Sequence, residues 1–328
     1  MPLTSAIAQS PLMSWNEYWW LYLLFNVFVI GFVIFDLGIL HKESKEMSTK
    51  EAGFWSIVWV AMAGVVGAGI YYYTSQKFGA DTGKNLFLEY ITGYVVEKSL
   101  AIDNIFVFIV IFSYFQIPLK YQQRILSLGI IGALLFRAAF IAAGSYLMQI
   151  HWVIILFGVF LIITGLKMAF QSEKPKDLNE TFIVKTVKRF LPFNEKYEGP
   201  LFYVDKAFTK LFLALLVIEF TDVIFALDSV PAIFALTKEP FIVFTSNIMA
   251  ILGLRALYFL LIGVISKFHL LKYGLAATLV FVGLKMTVLN KMFDGHFPVT
   301  WSLLIICSCI GLSVAASWLF PKKAESQH

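Results

Sequence analysis

Apolar runs of 18 or more residues recur along the chain, each able to cross about 30 Å of hydrocarbon as a helix. Their limits predict nine membrane segments: 17–40, 54–73, 86–115, 125–148, 151–170, 208–236, 242–265, 269–289 and 298–320. The expected fold class is an all-α polytopic membrane protein, one transmembrane domain over residues 1–328. No signal peptide is evident. Residues 1–16 carry no Lys or Arg, and the run from Tyr18 to Leu40 exceeds the short apolar stretch of a leader. The longest connection, 171–207, is polar and holds Pro175, Pro192, Gly199 and Pro200, which makes it the candidate for a small extramembrane unit. Inside it, Phe182 to Phe190 reads either as an interfacial amphipathic element or as a partly ordered loop.

Composition sharpens this picture. With 59% hydrophobic, 17% aromatic and only 14% charged residues, a soluble fold is excluded. When the C-terminus is placed in the cytoplasm, loops on that side hold 17 Lys and Arg against 4 on the other. The positive-inside rule then puts the N-terminus outside and the C-terminus inside, which needs an odd number of spans. Basic loops account for the net charge of +5, so it is not a nucleic-acid footprint. Cys307 and Cys309 lie two apart in the last segment and face different sides. They read as packing thiols, with no disulfide framework or zinc cage.

Against this apolar background stands Glu219-Phe-Thr-Asp222-Val-Ile-Phe-Ala-Leu-Asp228-Ser229-Val-Pro231. A charge at mid-membrane costs between about 2.5 and over 10 kcal/mol, so three carboxylates there imply use. A weaker copy, Glu97-Lys98-Ser99-Leu-Ala-Ile-Asp103-Asn104, aligns its acids with Asp222 and Asp228 at an offset of 125. Arg137 matches Arg255, and Gly165-Leu-Lys167-Met168 matches Gly283-Leu-Lys285-Met286, both at an offset of 118. Three motifs in one order predict a duplicated unit of three segments, about 86–170 and 208–289. An odd number inverts the second copy, a construction common in transporters, with the site between the copies. Glu219 has no acidic mate, since its counterpart is Tyr94, so the site should be pseudo-symmetric in Asp103 and Asp228 but weighted toward the sixth segment.

Residues six apart on a straight helix are separated by about 240°, so neither Glu97 and Asp103 nor Asp222 and Asp228 share a face. Glu219 and Asp222 do. One cavity for all five acids therefore requires the third and sixth segments to break near Ala101 and Ala226, with Pro231 favouring the second break. Set against Lys98, Arg137 and Arg255, the five acids leave two negative charges, which a divalent cation or protons would relieve. The expected metal ligands are Glu97, Asp103, Asn104, Glu219, Asp222 and Asp228, with Ser99 and Ser229 behind them. Lys98, Arg137 and Arg255 would supply supporting charge. Oxygen donors suit Mg²⁺, Ca²⁺ or Mn²⁺. The five histidines (41, 151, 269, 296, 328) lie at loop edges or the terminus, which disfavours zinc or copper. The metal would be cargo, with protons as counter-ion and no cofactor.

Several alternatives compete. Acids locked onto Arg137 and Arg255 could simply hold the bundle together. Asp103 and Asp228 could form an intramembrane aspartyl protease, although no Gly-x-Gly-Asp precedes either one. An interaction protein could use 171–207 to support metal loading or a stress-response complex. Lys167 and Lys285 read as interfacial anchors, Asp36 and Glu89 as solvated helix ends, and Gly129, Gly132, Gly144, Gly253 and Gly263 as close-packing positions.

The acidic stretches, together with Phe241-Ile-Val-Phe-Thr-Ser-Asn247 and Ile251-Leu-Gly-Leu-Arg255-Ala-Leu-Tyr-Phe-Leu260, closely resemble the TerC/Alx family of integral membrane proteins. The similarity runs from about residue 50 to 290. It implies a bacterial inner-membrane protein of the LysE-like transporter superfamily, linked to manganese efflux and to tellurite resistance. Manganese comes from this resemblance alone, since oxygen ligands do not separate Mn²⁺ from Mg²⁺ or Ca²⁺. The resulting expectation is a Mn²⁺ exporter working against inward protons.

Overall fold

A computed structural model describes residues 11–38, 47–147, 150–170, 192–194, 199, 201–262, 268–293 and 297–320. Five helices come first: α1 (Trp15–Gly38), α2 (Thr49–Phe78), α3 (Ala80–Tyr114), α4 (Leu119–Leu147) and α5 (His151–Phe170). Three short strands follow, β1 (Phe193–Asn194), β2 (Tyr203–Val204) and β3 (Ala207–Thr209), in the order β1-β3-β2. They lead into α6 (Lys210–Phe234), α7 (Pro240–Leu252) and α8 (Leu254–Leu261). α9 (Leu271–Leu284) passes through a π-helical turn, Lys285–Leu289, to Met292, and α10 (Val299–Leu319) closes the order. Phe182 to Phe190 lies outside the described residues.

Local chemistry sets several of these limits. Ser48 accepts the Glu51 N–H at 3.3 Å, a side-chain cap that starts α2 before the apolar run begins. Gly79 alone joins α2 to α3, with φ at +94°, a conformation that excludes most side chains. That one-residue turn replaces the longer connection expected between residues 73 and 86. Pro240 begins α7, where its missing N–H costs nothing.

Among the described residues, six helices are long and apolar enough to cross a membrane: α1, α2, α4, α5, α9 with its continuation, and α10. The α7–α8 pair, bent by 42°, makes a seventh if counted as one span. α3 and α6, which carry the acids, fall outside that number. Outward-facing side chains are large and apolar, with Val65 and Leu312 each 71% exposed and Trp318 78%. Water does not tolerate such a surface at this density, whereas hydrocarbon does. The protein is therefore an all-α polytopic membrane protein.

At the centre, α3 packs on α7, α4 on α6, and α5 on α9, while α1 and α10 lie to the outside against α7 and α9. The α5–α9 crossing is close because glycines make it. A Cβ on Gly165 would stand 2.7 Å from the Ala276 carbonyl oxygen, and one on Gly158 3.1 Å from that of Gly283.

The expected breaks near Ala101 and Ala226 do not occur. Both residues sit inside continuous helices, at 1% and 0% exposure. A break was needed only if all five acids shared one cavity. Instead Asp222 faces Arg137 of α4 and Asp228 faces Thr164 of α5, which a straight α6 permits. Pro231 falls in the last turn of α6, close enough to its end to leave the helix whole. The chain breaks at Gly253, where an added Cβ would press on the Lys98 ammonium and Trp59. Lys98 Nζ donates to the Ala250 carbonyl beside that break at 3.0 Å.

Candidate functional site

Four helices converge on Arg137. This arginine of α4 is 1% exposed, and a buried guanidinium needs both counter-charge and acceptors. Its Nη1 donates to Glu97 Oε1 of α3, to Ser229 Oγ of α6 at 2.8 Å and to Asn247 Oδ1 of α7 at 3.2 Å. Nη2 lies 3.5 Å from Asp222 Oδ1 of α6. Asn247 also donates through Nδ2 to Glu97 Oε2 at 3.2 Å, so the amide orients the carboxylate and the arginine together. Glu219 lies one turn before Asp222, and its carboxylate packs directly against Gly132 of α4. A side chain at position 132 would occupy the same space.

Beside these groups is a small cavity of about 20 Å³, roomy enough for one water-sized occupant. Glu97, Asn104, Arg137, Glu219 and Asp222 line it, with apolar walls from α4, α6 and the α7–α8 bend. Glu219 Oε2, Asp222 Oδ2 and Arg137 Nε are buried and accept or donate no hydrogen bond. Buried polar atoms of native proteins nearly always have partners, so two carboxylate oxygens without a hydrogen bond beside a cavity stand out. With one guanidinium for Glu97, Glu219 and Asp222, two negative charges remain if all are ionised.

The other expected site residues are dispersed. Asp228 is half-buried and faces Thr164 of α5. Ser99 is spent within its own helix, donating to the Val95 carbonyl at 2.6 Å. Ser229 serves Arg137. Lys98 caps the α7 break, and Arg255 Nη1 donates to Ser127 Oγ of α4 at 2.9 Å. The Asp103 backbone is helical, and its side chain lies outside the described residues, as does that of Asp36. Among the described residues, no group of three or more His, Cys, Asp or Glu is placed to hold a metal ion unaided.

The sequence reading missed Asn247, a buried amide in an otherwise apolar helix; its polarity in that setting was the available signal. It also misplaced Glu89 and Lys285. Glu89 lies well inside α3 and accepts from Thr237 Oγ1 at 2.5 Å, so it is not a solvated helix end. Lys285 is 3% exposed in the π turn near Glu89, whereas Lys167, its sequence mate, is exposed. Only the exposed Lys167 fits an interfacial anchor.

Fold and site together define a polytopic membrane protein with a buried arginine–carboxylate centre between two groups of helices. The chain belongs to the integral membrane protein TerC family, whose model matches residues 82–325. It is 45% identical over 307 residues to an uncharacterized membrane protein of Myxococcus xanthus, covering 92% of this chain and 93% of the relative. It is 43% identical over 288 residues to a protein of Escherichia coli K12 named "Putative membrane-bound redox modulator Alx", covering 86% and 89%. The protein of that name from Photorhabdus laumondii is 39% identical over 307 residues, covering 92% and 95%. No solved structure matches the chain.

Proposed function

We propose that the protein is a secondary transporter that exports a hard divalent cation, manganese, from the cytoplasm by exchange with protons. The observation that carries this reading is the pair of unpartnered carboxylate oxygens, Glu219 Oε2 and Asp222 Oδ2, beside a buried cavity of about 20 Å³. Their charge excess matches one divalent ion or two protons, and their oxygens are the hard donors such ions prefer. Arg137 is the resident counter-charge. A cation gains Glu97 as a third carboxylate only when the guanidinium withdraws from it. Asn104 lines the same space and supplies an amide oxygen. Manganese is chosen among hard ions by the family resemblance.

The inverted duplication, the inner-membrane location and the outside N-terminus belong to this proposal. Paired packing of α3 with α7 and of α4 with α6 supports the duplication, since these pairs exchange when the two units are exchanged. The name of the relatives adds a redox role. In this reading it follows from moving a redox-active metal, because Cys307 and Cys309 lie on α10 and neither lines the cavity.

The test is Mn²⁺ uptake into proteoliposomes holding purified protein. Asp222→Asn and Glu219→Gln should each reduce uptake at least about tenfold, by one lost charge-assisted contact, with the fold kept by circular dichroism. Uptake at the unsubstituted rate in both variants overturns the reading.

A further inference from the structure

Along one side of α3, Glu89, Gly93 and Glu97 follow one another at intervals of four residues, so they face the same way. At about 1.5 Å of rise per residue, the two carboxylates stand about 12 Å apart along the axis. Each position meets a polar group from α7 or from the turn just before it. Thr237 donates its hydroxyl to Glu89 Oε2 at 2.5 Å and accepts the Glu239 N–H at 3.1 Å. Ser246 of α7 takes the space that Gly93 leaves, since an added Cβ there would stand 2.8 Å from the Ser246 hydroxyl oxygen. Ser246 is fully buried and donates to the Ile242 carbonyl at 2.7 Å, which leaves its oxygen to accept at Gly93. Asn247 donates to Glu97, the partner of Arg137. The α3–α7 seam thus carries a polar line from Glu89 to the arginine centre.

Glu89 is set among charges. Lys285, 3% exposed, approaches it from the π turn that follows α9, a distortion frequent at functional sites. Glu239 is the other charged group facing it. Glu239 also binds the segment that precedes α1, so this end of the bundle lies on the N-terminal side. That side is the outer one in the proposed orientation. The repeat does not reproduce the arrangement. The offset of 125 that carries Glu97 onto Asp222 carries Glu89 onto Ala214, and Lys167, the mate of Lys285, is exposed.

We infer that Glu89 is the outer proton station of the transporter, taking a proton from outside and passing it along the Ser246 line to the Glu97 carboxylate. The inference rests on the transporter reading and deepens it. An O–H bond forms on Glu89, then breaks as one forms on Glu97, so Glu89 ends as it began and nothing is oxidised or reduced. The separation exceeds a single hydrogen bond, and water accepted at Ser246 Oγ bridges it. Chains of acids are a known means of carrying protons through a membrane interior. A proton on Glu97 discharges a cation ligand, which couples proton entry to cation release.

The experiment uses the full-length protein and two readouts. In proteoliposomes, Glu89→Gln should keep Mn²⁺–Mn²⁺ exchange without a gradient and lose the acceleration that an inward proton gradient gives. Ser246→Ala should lower that acceleration at least about threefold, the effect of one lost hydrogen bond. Thr245→Ala removes an equally buried hydroxyl that is spent on its own helix in the same way, and should leave the acceleration unchanged. Infrared difference spectra of purified protein between acid and alkaline conditions should show a carboxylic-acid band that Glu89→Gln deletes. The inference is overturned if Glu89→Gln keeps the acceleration, if Ser246→Ala and Thr245→Ala act alike, or if no band is deleted. The band in a protein that moves no Mn²⁺ overturns export and leaves the station. Mn²⁺ movement that no proton gradient accelerates overturns the station and leaves export.

Discussion

Arg137 is held by a carboxylate on each side, a hydroxyl and an amide, contributed by α3, α6 and α7. A buried ion pair of this kind is costly to break on one side, because the remaining charge keeps its desolvation without its partner. Arg137→Gln should therefore lower stability by about 3–5 kcal/mol, read as a fall in the thermal denaturation midpoint of purified protein in detergent. Glu219→Gln should behave differently. One of its oxygens has no partner, so neutralising it removes repulsion from Asp222 and should leave the midpoint unchanged or raised. A loss at Glu219→Gln equal to that at Arg137→Gln would mean that Glu219 is a structural partner of the ion pair. Glu219 and Asp222 were legible as neighbours from their spacing of three. Their relation to Arg137 was not, because it spans 85 positions from Asp222.

Breaks and caps decide how the helices meet. Gly253 separates α7 from α8 at a point where an added Cβ would press on Trp59, and Lys98 binds the carbonyl at the bend. At the other end of α7, Glu239 fastens the segment that precedes α1. Its two oxygens accept the N–H groups of Leu12 at 2.8 Å and Met13 at 3.0 Å, and Tyr22 donates its hydroxyl to the Met13 carbonyl at 3.2 Å. Burial pushes the Glu239 carboxyl above its ordinary value, and the two N–H donors pull it only part of the way back. Tyr22 of α1 and Glu89 of α3 face it, with Lys285 of the π turn near Glu89. Because the docked value is raised, docking is favoured most below the ordinary carboxylate value and weakens as pH rises through the raised one. Hydrogen-exchange protection at Met13 should accordingly fall with rising pH, and Glu239→Gln should remove that dependence. Protection that increases with pH would show that the N–H donors outweigh burial.

Across the whole molecule, three carboxylates and one arginine line a space too small for a hydrated ion. On the transporter proposal, a passing cation would shed most of its water, which the bare oxygens of Glu219 and Asp222 would replace. If protons are the exchanging species, an inward proton gradient should speed Mn²⁺ export in proteoliposomes severalfold over a matched vesicle without one. Rates independent of the gradient would leave metal movement but remove the antiport. The five acids of the sequence reading do not act as a single group: Asp228 faces α5, and a cluster of Glu89, Thr237 and Glu239 forms at the α6–α7 connection.

The chain by itself determined the membrane class, the approximate placing of its apolar helices, and which acids are too expensive to be incidental. These properties are local: a run of apolar side chains must be buried in lipid or protein wherever the rest of the chain goes. Tertiary structure alone decided which charge answers which. Glu97 meets Arg137 across 40 positions and Asn247 across 150, and no periodicity encodes such pairings. It also put the break at Gly253 and not at Ala101 or Ala226, since on a straight α6 Asp222 meets α4 while Asp228 meets α5. The paired acidic stretches were visible in the sequence as repeats, but the cavity with its two bare oxygens exists only where α3, α4, α6 and the α7–α8 bend converge.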